Sequence, residues 1–368
     1  MTSLNIQPEV QKILDSYGFN EIPFDYLRNR LKQDGFNPDA SRTTAQIKPL
    51  SKGAMSMYPS GDIIQKTDLR QKGQMAIDAG ETAVVILNGG MATRFGGVPK
   101  GAVPVVDNRS FLDFKLSQIK KAGAGKTPAL LMNSFATQEA TSGHIKTLNL
   151  DMEILDFHQF VSLRMTETGD IFTSDDGRPS TYAPGHGDFP YALKASGQLA
   201  KLKKRGVKYI VLSNVDNLGA SLDPVIIGMH IDGGNPVSVE LVAANKGDVG
   251  GFSAIENGKD VIMEAFRLPA DFNTDDITVF NTNTFVFNLD ALENTKDLSW
   301  FMVQKNVNGK KAVQCERLVG QMTEFVDVSW LVVPRTGSES RFIPIKTVQD
   351  ITDRQNDLRA ALQYQGVL

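Results

Sequence analysis

The segment Asn88–Gly101, NGGMATRFGGVPKG, sets glycines at 89, 90, 96 and 97 beside an arginine, Arg94, and a lysine, Lys100. Glycine lets backbone N–H groups come close to a ligand and take positive φ, so such a loop can wrap the oxygens of a triphosphate. Arg94 and Lys100 would add charge-assisted contacts. A bare Gly-Gly pair is usually only a turn; the flanking Thr-Arg and Pro-Lys argue for a ligand. The Rossmann fingerprint needs glycines at x, x+2 and x+5 entering a helix, which this loop lacks, so nicotinamide binding is not supported. AGAGKT at Ala122–Thr127 is no phosphate loop either, because Lys120 stands where the first glycine is required and a strand follows it.

Further chemistry is spread along the chain. SNVDN (Ser213–Asn217) ends an apolar run and presents Asp216 where a Mg²⁺-bound phosphate would lie; Mg²⁺ is commonly held by one or two carboxylates, phosphate oxygens and water. An aspartate after a strand is equally a cap or turn former. Asn214 is placed to reach ribose or sugar hydroxyls. In PGHGD (Pro184–Asp188), His186 can donate to a phosphate or sugar oxygen, and Gly187 leaves room for a ring against the backbone. His144, His158 and His230 read as ordinary structural residues, and no pair has metal-ligand spacing.

The elements that must carry these residues follow from hydrophobic period. Strands are expected at Thr82–Asn88, Pro128–Asn133, Met152–Phe157, Lys208–Asn214, Pro236–Ala243 and Ile277–Leu289, and helices at Ser110–Ala122, Ala136–Leu148, Phe189–Arg205 and Pro224–Asp232. Strands apolar on both faces imply a mostly parallel sheet covered by helices on both sides, with ligands at the strands' carboxyl ends. The first eighty residues read as a helical extension (Glu9–Tyr17, Phe24–Lys32, Leu69–Ala79) with no convincing strand, followed by a catalytic domain over 81–347 and a short helix over 348–368. A net charge of −3 with 22% charged residues gives no field to hold nucleic acid or an anionic membrane. No apolar run approaches the roughly 20 residues of a membrane span, and a single cysteine, Cys315, fits a reducing, cytoplasmic setting.

The glycine loop resembles the signature loop of the UDP-sugar pyrophosphorylases. LMNSFATQEAT (Leu131–Thr141), PGHGD, SNVDNLGA (Ser213–Ala220), FNTNTFVFNL (Phe280–Leu289) and RFIPIKTVQDI (Arg341–Ile351) are similar, in the same order, to motifs of the UTP–glucose-1-phosphate uridylyltransferases. The resemblance implies a three-layer α/β/α fold of the nucleotide-diphospho-sugar transferase (GT-A-like) type with a mostly parallel mixed sheet. It also implies nucleotide contacts from Leu87, Gly89, Gly90, Met132, Gln159, Gly187 and Asn214, with Gln159 meeting the uracil edge. Sugar contacts would come from His186, Gly250, Gly251, Asn281 and Asn283, the last two expected on one face of a strand. Lys100, Arg94 and Lys346 would neutralise phosphate charge, with Mg²⁺ at Asp216.

The reaction so implied is attack by the phosphate of glucose 1-phosphate on the α-phosphorus of UTP, releasing pyrophosphate. A phosphate monoester is already largely dianionic at neutral pH, its second ionisation lying near about 6, so no general base is needed. Ala92 stands where the signature has a third glycine, and Arg94 with Pro99-Lys100-Gly101 looks more like the loop of the N-acetylhexosamine enzymes, whereas PGHGD and the Lys-Thr of RFIPIKT favour glucose; an N-acetylhexosamine or broad-specificity UDP-sugar pyrophosphorylase is the alternative. A UDP-sugar-dependent glycosyltransferase and a silent nucleotide-sugar sensor are the rival readings. No counterpart of the eukaryotic β-helical carboxyl domain is expected, and no oligomeric state follows.

Overall fold

The computed structural model describes residues 6–92, 97–248 and 250–368. Its frame is an 11-stranded mixed sheet. In chain order the strands are β1 (Ile47–Pro49), β2 (Met55–Met57), β3 (Thr82–Leu87), β4 (Ala129–Asn133), β5 (Ile154–His158), β6 (Tyr209–Asn214), β7 (Val237–Ala243), β8 (Gly251–Glu256), β9 (Lys259–Glu264), β10 (Val279–Asn288) and a last one at Val328–Val332. A separate hairpin, β11 (Phe301–Val307) and β12 (Lys310–Glu316), precedes that last strand, β13. The main order is β2-β13-β7-β10-β6-β3-β4-β5, with β8 joined to β10 and flanked by β1 and β9. All neighbours on the main path run parallel except β10, which is antiparallel to both β6 and β7.

Each strand's apolar run divides between two layers by the two-residue period. In β3, Val84 and Ile86 join one core with Phe111, Phe114 and Ile226, while Ala83 and Val85 join the other with Phe189, Leu193 and Phe287. The first layer is built by α3 (Ile63–Asp78), α4 (Phe111–Ala122), α5 (Gln138–Thr147), α8 (Pro224–Gly233) and a carboxyl-terminal helix, Gln355–Tyr364. The second is built by α6 (Phe189–Ala195), α7 (Gln198–Lys204) and α9 (Leu289–Glu293). The expected three-layer α/β/α architecture is therefore present, and every strand expected from the sequence is found.

Three expectations are corrected. The first eighty residues do contain strands, since β1 pairs with β8 and β2 with β13; both are three residues long and mostly exposed, so no apolar run announced them. The helix expected over Phe189–Arg205 is two helices, because Gly197 adopts φ +75° and starts a new one. The end of the chain is likewise two helices, α10 (Val348–Asp353) and α11 (Gln355–Tyr364), the first capped reciprocally by Thr347 and Asp350. The amino-terminal helices α1 (Pro8–Ser16) and α2 (Glu21–Asp34) form a small core of their own with Leu163, Val313 and Cys315 beside the β11–β12 hairpin.

Helices α3 and α8 meet backbone to backbone. A Cβ on Gly73 would run into the Pro224 carbonyl oxygen, and one on Gly228 into that of Leu69. Overpacking that has rigid backbone on the other side cannot be relieved by a rotamer change. Gly73→Ala is therefore expected to lower unfolding free energy in urea by about 2–3 kcal/mol. Gly53→Ala, which meets nothing within 4 Å, serves as the control and should stay within about 0.5 kcal/mol. Equal stability of the two variants would refute this account of the helix contact.

Candidate active site

Parallel pairing sets the site. Leu87 lies opposite both Met132 and Asn214, and Met132 opposite Phe157, so β3, β4, β5 and β6 end at one edge and deliver four loops to it. Asn88 fastens the first of these by donating from Nδ2 to Asn133 Oδ1 at 2.7 Å and to Thr141 Oγ1 at 2.9 Å. Between the loops opens a cleft of about 480 Å³ lined by Leu87, Gly89, Gly90, Lys100, Gln159, Arg164, Tyr182, Gly185, His186, Asn214 and Asp216, among others.

At its floor the Lys100 ammonium donates to Asp216 Oδ2 at 2.5 Å, with the two side chains 20% and 16% exposed. The loop after β3 and the loop after β6 are thus joined by a partly buried ion pair. Asp216 sits on a braced turn. Asn217 Nδ2 donates to the Arg341 carbonyl at 3.1 Å and its Oδ1 accepts from the Ile343 amide at 2.9 Å, while Arg341 itself is buried against Glu240 and Asp223.

On the opposite wall Gln159 follows β5 directly. Its Nε2 donates to the Gly185 carbonyl at 3.1 Å, and a Cβ on Gly89 would lie 2.5 Å from its Oε1, so a side chain at 89 would displace this amide. His186 is held by the Val319 amide, which donates to Nδ1 at 3.1 Å. Burial pushes His186 down to about 4, so the ring is neutral at pH 7 with its remaining proton on Nε2.

The sugar-side residues connect to this floor. Asn283 Nδ2 donates to Asn214 Oδ1 at 2.9 Å, and the Asn283 amide donates to Asn281 Oδ1 at 3.0 Å. The two asparagines do not share a regular strand face as expected. Pairing with β7 shifts between Glu240 and Leu241, and Asn283 bulges at φ +56°, which turns its side chain to Asn214. Gly251 faces Asn281 Nδ2 at 3.3 Å and Glu264 Oε1 at 2.8 Å from where its Cβ would stand, and Gly250 holds φ +154° against the Phe280 ring.

Two nucleotide-site expectations are corrected. Met132 is completely buried within the second core and does not reach the cleft. Gly187 does not open space for a ring, since a Cβ there would strike the backbone of Arg317 and Leu318; its glycine is required by that crossing. Lys346 is exposed, two residues beyond Pro344, which bridges Asn217, and does not line the cleft. Arg94 lies outside the described residues.

Sequence reasoning missed two buried titratable groups. Lys115 on α4 donates to Ser213 Oγ at 3.0 Å and the Ala220 carbonyl at 2.5 Å, the two ends of the Asp216 loop. Burial pushes its ammonium down to about 7, with Arg341 adding to the effect and Asp216 opposing it. A polar residue amid FLDFKLSQI was the available signal. Glu264 ends β9 beside Gly251, and burial, with Glu316 adding, pushes its carboxyl up to about 7. Cys315 is buried and pushed up to about 12, so it carries no thiolate chemistry. No helix among the described residues is long and apolar enough to cross a membrane.

Comparisons with known proteins bear on the fold and the family. The family model for UTP–glucose-1-phosphate uridylyltransferase matches residues 33–363. The UTP–glucose-1-phosphate uridylyltransferase 2 of Dictyostelium discoideum is 32% identical over 304 residues, covering 76% of this chain and 59% of the relative. The Musa acuminata UTP–glucose-1-phosphate uridylyltransferase is 33% identical over 297 residues, covering 75% of this chain and 62% of the relative. The chain thus spans about three fifths of the length of the curated relatives it matches. Among solved structures, a mutant UDP-glucose pyrophosphorylase from Leishmania major superposes with TM-score 0.74 at 25% identity, covering 93% of this chain and 76% of that one. The UDP-N-acetylglucosamine pyrophosphorylase of Trypanosoma brucei gives TM-score 0.76 at 20% identity over 94% and 79%, a likeness of fold.

The buried neutral histidine has a consequence for acid stability. Below its ordinary value of 6.5 the unfolded chain takes up a proton that folded His186, at about 4, does not. Its contribution is full above about pH 6.5 and is lost as pH falls towards 4, by at most about 3 kcal/mol. Urea unfolding at about pH 7.5 and about pH 4.5 should therefore show a smaller pH difference in His186→Gln than in wild type. An unchanged difference would contradict the assignment of His186 as a buried neutral group.

Proposed function

We propose, from the premise that this chain belongs to the UTP–glucose-1-phosphate uridylyltransferase family, that it transfers the uridylyl group of UTP to glucose 1-phosphate, giving UDP-glucose and pyrophosphate. The observation that carries the reading is the Lys100–Asp216 pair, at 2.5 Å, on the floor of the glycine-loop cleft. The cation and the carboxylate neutralise each other, and each can turn to a ligand that brings anionic oxygens and a divalent ion.

Asp216 is the carboxylate proposed to hold Mg²⁺. Among the described residues no group of three or more His, Cys, Asp or Glu is gathered for a metal. One carboxylate with phosphate oxygens and water suits Mg²⁺ arriving on UTP, and other metals with all-protein cages less well. When bound, the ion would screen the charge of the β- and γ-phosphates and of the departing pyrophosphate.

The chain's own groups divide the remaining work. Lys100 turns from Asp216 to the phosphates of UTP and opposes the negative charge that gathers as the leaving group departs. Arg94 and Lys346 are proposed to assist it, the first from the glycine loop and the second from beyond Pro344. Gly89 and Gly90 lie flat against the nucleotide, with Leu87 beneath it and Gln159 meeting the uracil edge through its amide. Asn214 reaches the ribose. His186, neutral and with its proton on Nε2, donates to the sugar phosphate without adding charge. On the hexose side, Asn281, Asn283 and Glu264 are proposed to meet the sugar hydroxyls, with Gly250 and Gly251 packed beside them. A carboxyl that burial shifts towards its protonated form can donate as well as accept, which suits a hydroxyl partner.

No residue has to remove a proton from the nucleophile, because the sugar phosphate is already dianionic. Rate then comes from holding two anions in line and from charge compensation. The experiment is incubation of the protein with UTP, Mg²⁺ and a panel of sugar 1-phosphates, with pyrophosphate as the readout. The expected result is fastest release with glucose 1-phosphate and slower release with N-acetylglucosamine 1-phosphate. Absence of release with every sugar would overturn the enzymatic reading, and a preference for the N-acetyl sugar would move the substrate.

A further inference from the structure

A groove of about 730 Å³ shares Tyr182 with the nucleotide cleft, and Arg317 forms part of its wall. The Arg317 guanidinium stands 4.3 Å from the ring centres of both Tyr191 and Trp300. Through Nε at 3.1 Å and Nη2 at 2.5 Å it donates to Asp188 Oδ1. Asp188 is fully buried, so its charge is tolerable only while that partner is present. The other carboxylate oxygen, Oδ2, accepts from the amide of Phe160 at 3.1 Å, the residue after Gln159.

The main chain of Arg317 continues the same attachment. Its amide donates to the Pro184 carbonyl and its carbonyl accepts from the Gly187 amide, each at 2.9 Å. Between those two points lies Gly185, whose carbonyl accepts from Gln159 Nε2 at 3.1 Å. One arginine therefore fixes the backbone on the carboxyl side of Gln159, through Asp188, and the carbonyl against which the Gln159 amide is oriented.

We propose that Arg317 is the positioning residue for pyrimidine recognition, setting which end of the Gln159 amide meets the base. The inference rests on the reading of Gln159 as the uracil contact. Uracil offers an acceptor at O4 and a donor at N3–H, whereas cytosine offers a donor and an acceptor at the same places. An amide locked in one orientation distinguishes the two, and one free to turn end for end serves both. The carbonyl of Gly185 supplies the lock by engaging Nε2, and the aromatic pair around Arg317 keeps the guanidinium from swinging into the groove.

The test is calorimetric binding of UTP and CTP, each with Mg²⁺, to wild type, Gln159→Ala, Arg317→Lys and the double variant Arg317→Met/Asp188→Asn, which leaves no unpaired buried charge. Wild type is expected to prefer UTP. The double variant should reduce the UTP-to-CTP affinity ratio at least fivefold, Gln159→Ala should reduce it as far, and Arg317→Lys should retain part of it. A mere loss of packing would lower thermal stability without altering that ratio. If Gln159→Ala loses the preference while the double variant and Arg317→Lys keep the full wild-type ratio, the role of Arg317 is overturned and the base contact stands. If wild type shows no preference, the base contact falls and this inference with it.

Discussion

A lysine ammonium and an aspartate carboxylate, 2.5 Å apart at the carboxyl ends of two adjacent parallel strands, are the constraint around which the rest of the molecule is arranged. Neither side chain can be in place without a whole loop being in place. Lys100 comes at the end of the glycine loop, pinned through its amide to the Gly90 carbonyl at 3.2 Å, and Asp216 rides on the turn that Asn217 ties to Arg341 and Ile343. The register of β3 against β6, Leu87 opposite Asn214, brings the two loops within reach.

Around that pair the polar groups are mostly supports. Lys115 holds the two ends of the Asp216 loop from below the sheet, and Asn283, forced out of the strand by a bulge, ties the end of β6 to the strand that carries Asn281. Burying a lysine is costly, as the fall of Lys115 to about 7 expresses. A fold spends stability in this way where a loop must keep one geometry while charged ligands come and go. The neutral His186 follows from the same burial and puts hydrogen-bonding capacity into the cleft without a fixed charge, and burial likewise pushes the Glu264 carboxyl up beside Gly251.

How far this was legible in the chain depended on the kind of signal. TAVVIL, ALLMN and YIVLSN are apolar on both faces and gave away a parallel sheet, and with it the edge where ligands gather. Lys100, Asp216, Gln159 and His186 were found because each follows such a strand or sits in a glycine-rich turn, and the cleft unites them. The short strands β1 and β2 were missed because their residues are exposed and stabilised by pairing with distant partners, which no local pattern records. Met132 and Gly187 show the opposite error. Each stands in a suggestive motif, yet the methionine fills the core and the glycine admits the Arg317–Leu318 backbone, long-range packing that a linear reading cannot see. Glu264 escaped for the same reason, since only the fold sets a carboxyl 264 against a glycine 251.

The central claim is that Lys100 and Asp216 act as one unit on the phosphates. It is tested most directly by a kinetic double-mutant cycle, with Lys100→Met, Asp216→Asn and the double variant compared with wild type by pyrophosphate release from UTP and glucose 1-phosphate. Each single variant is predicted to lose about 3–4 kcal/mol of transition-state stabilisation, a hundredfold or more in rate. The double variant should lose little beyond the worse single, because residues acting together are not additive. Wild-type rates in either folded single variant, or fully additive losses in the double, would contradict it.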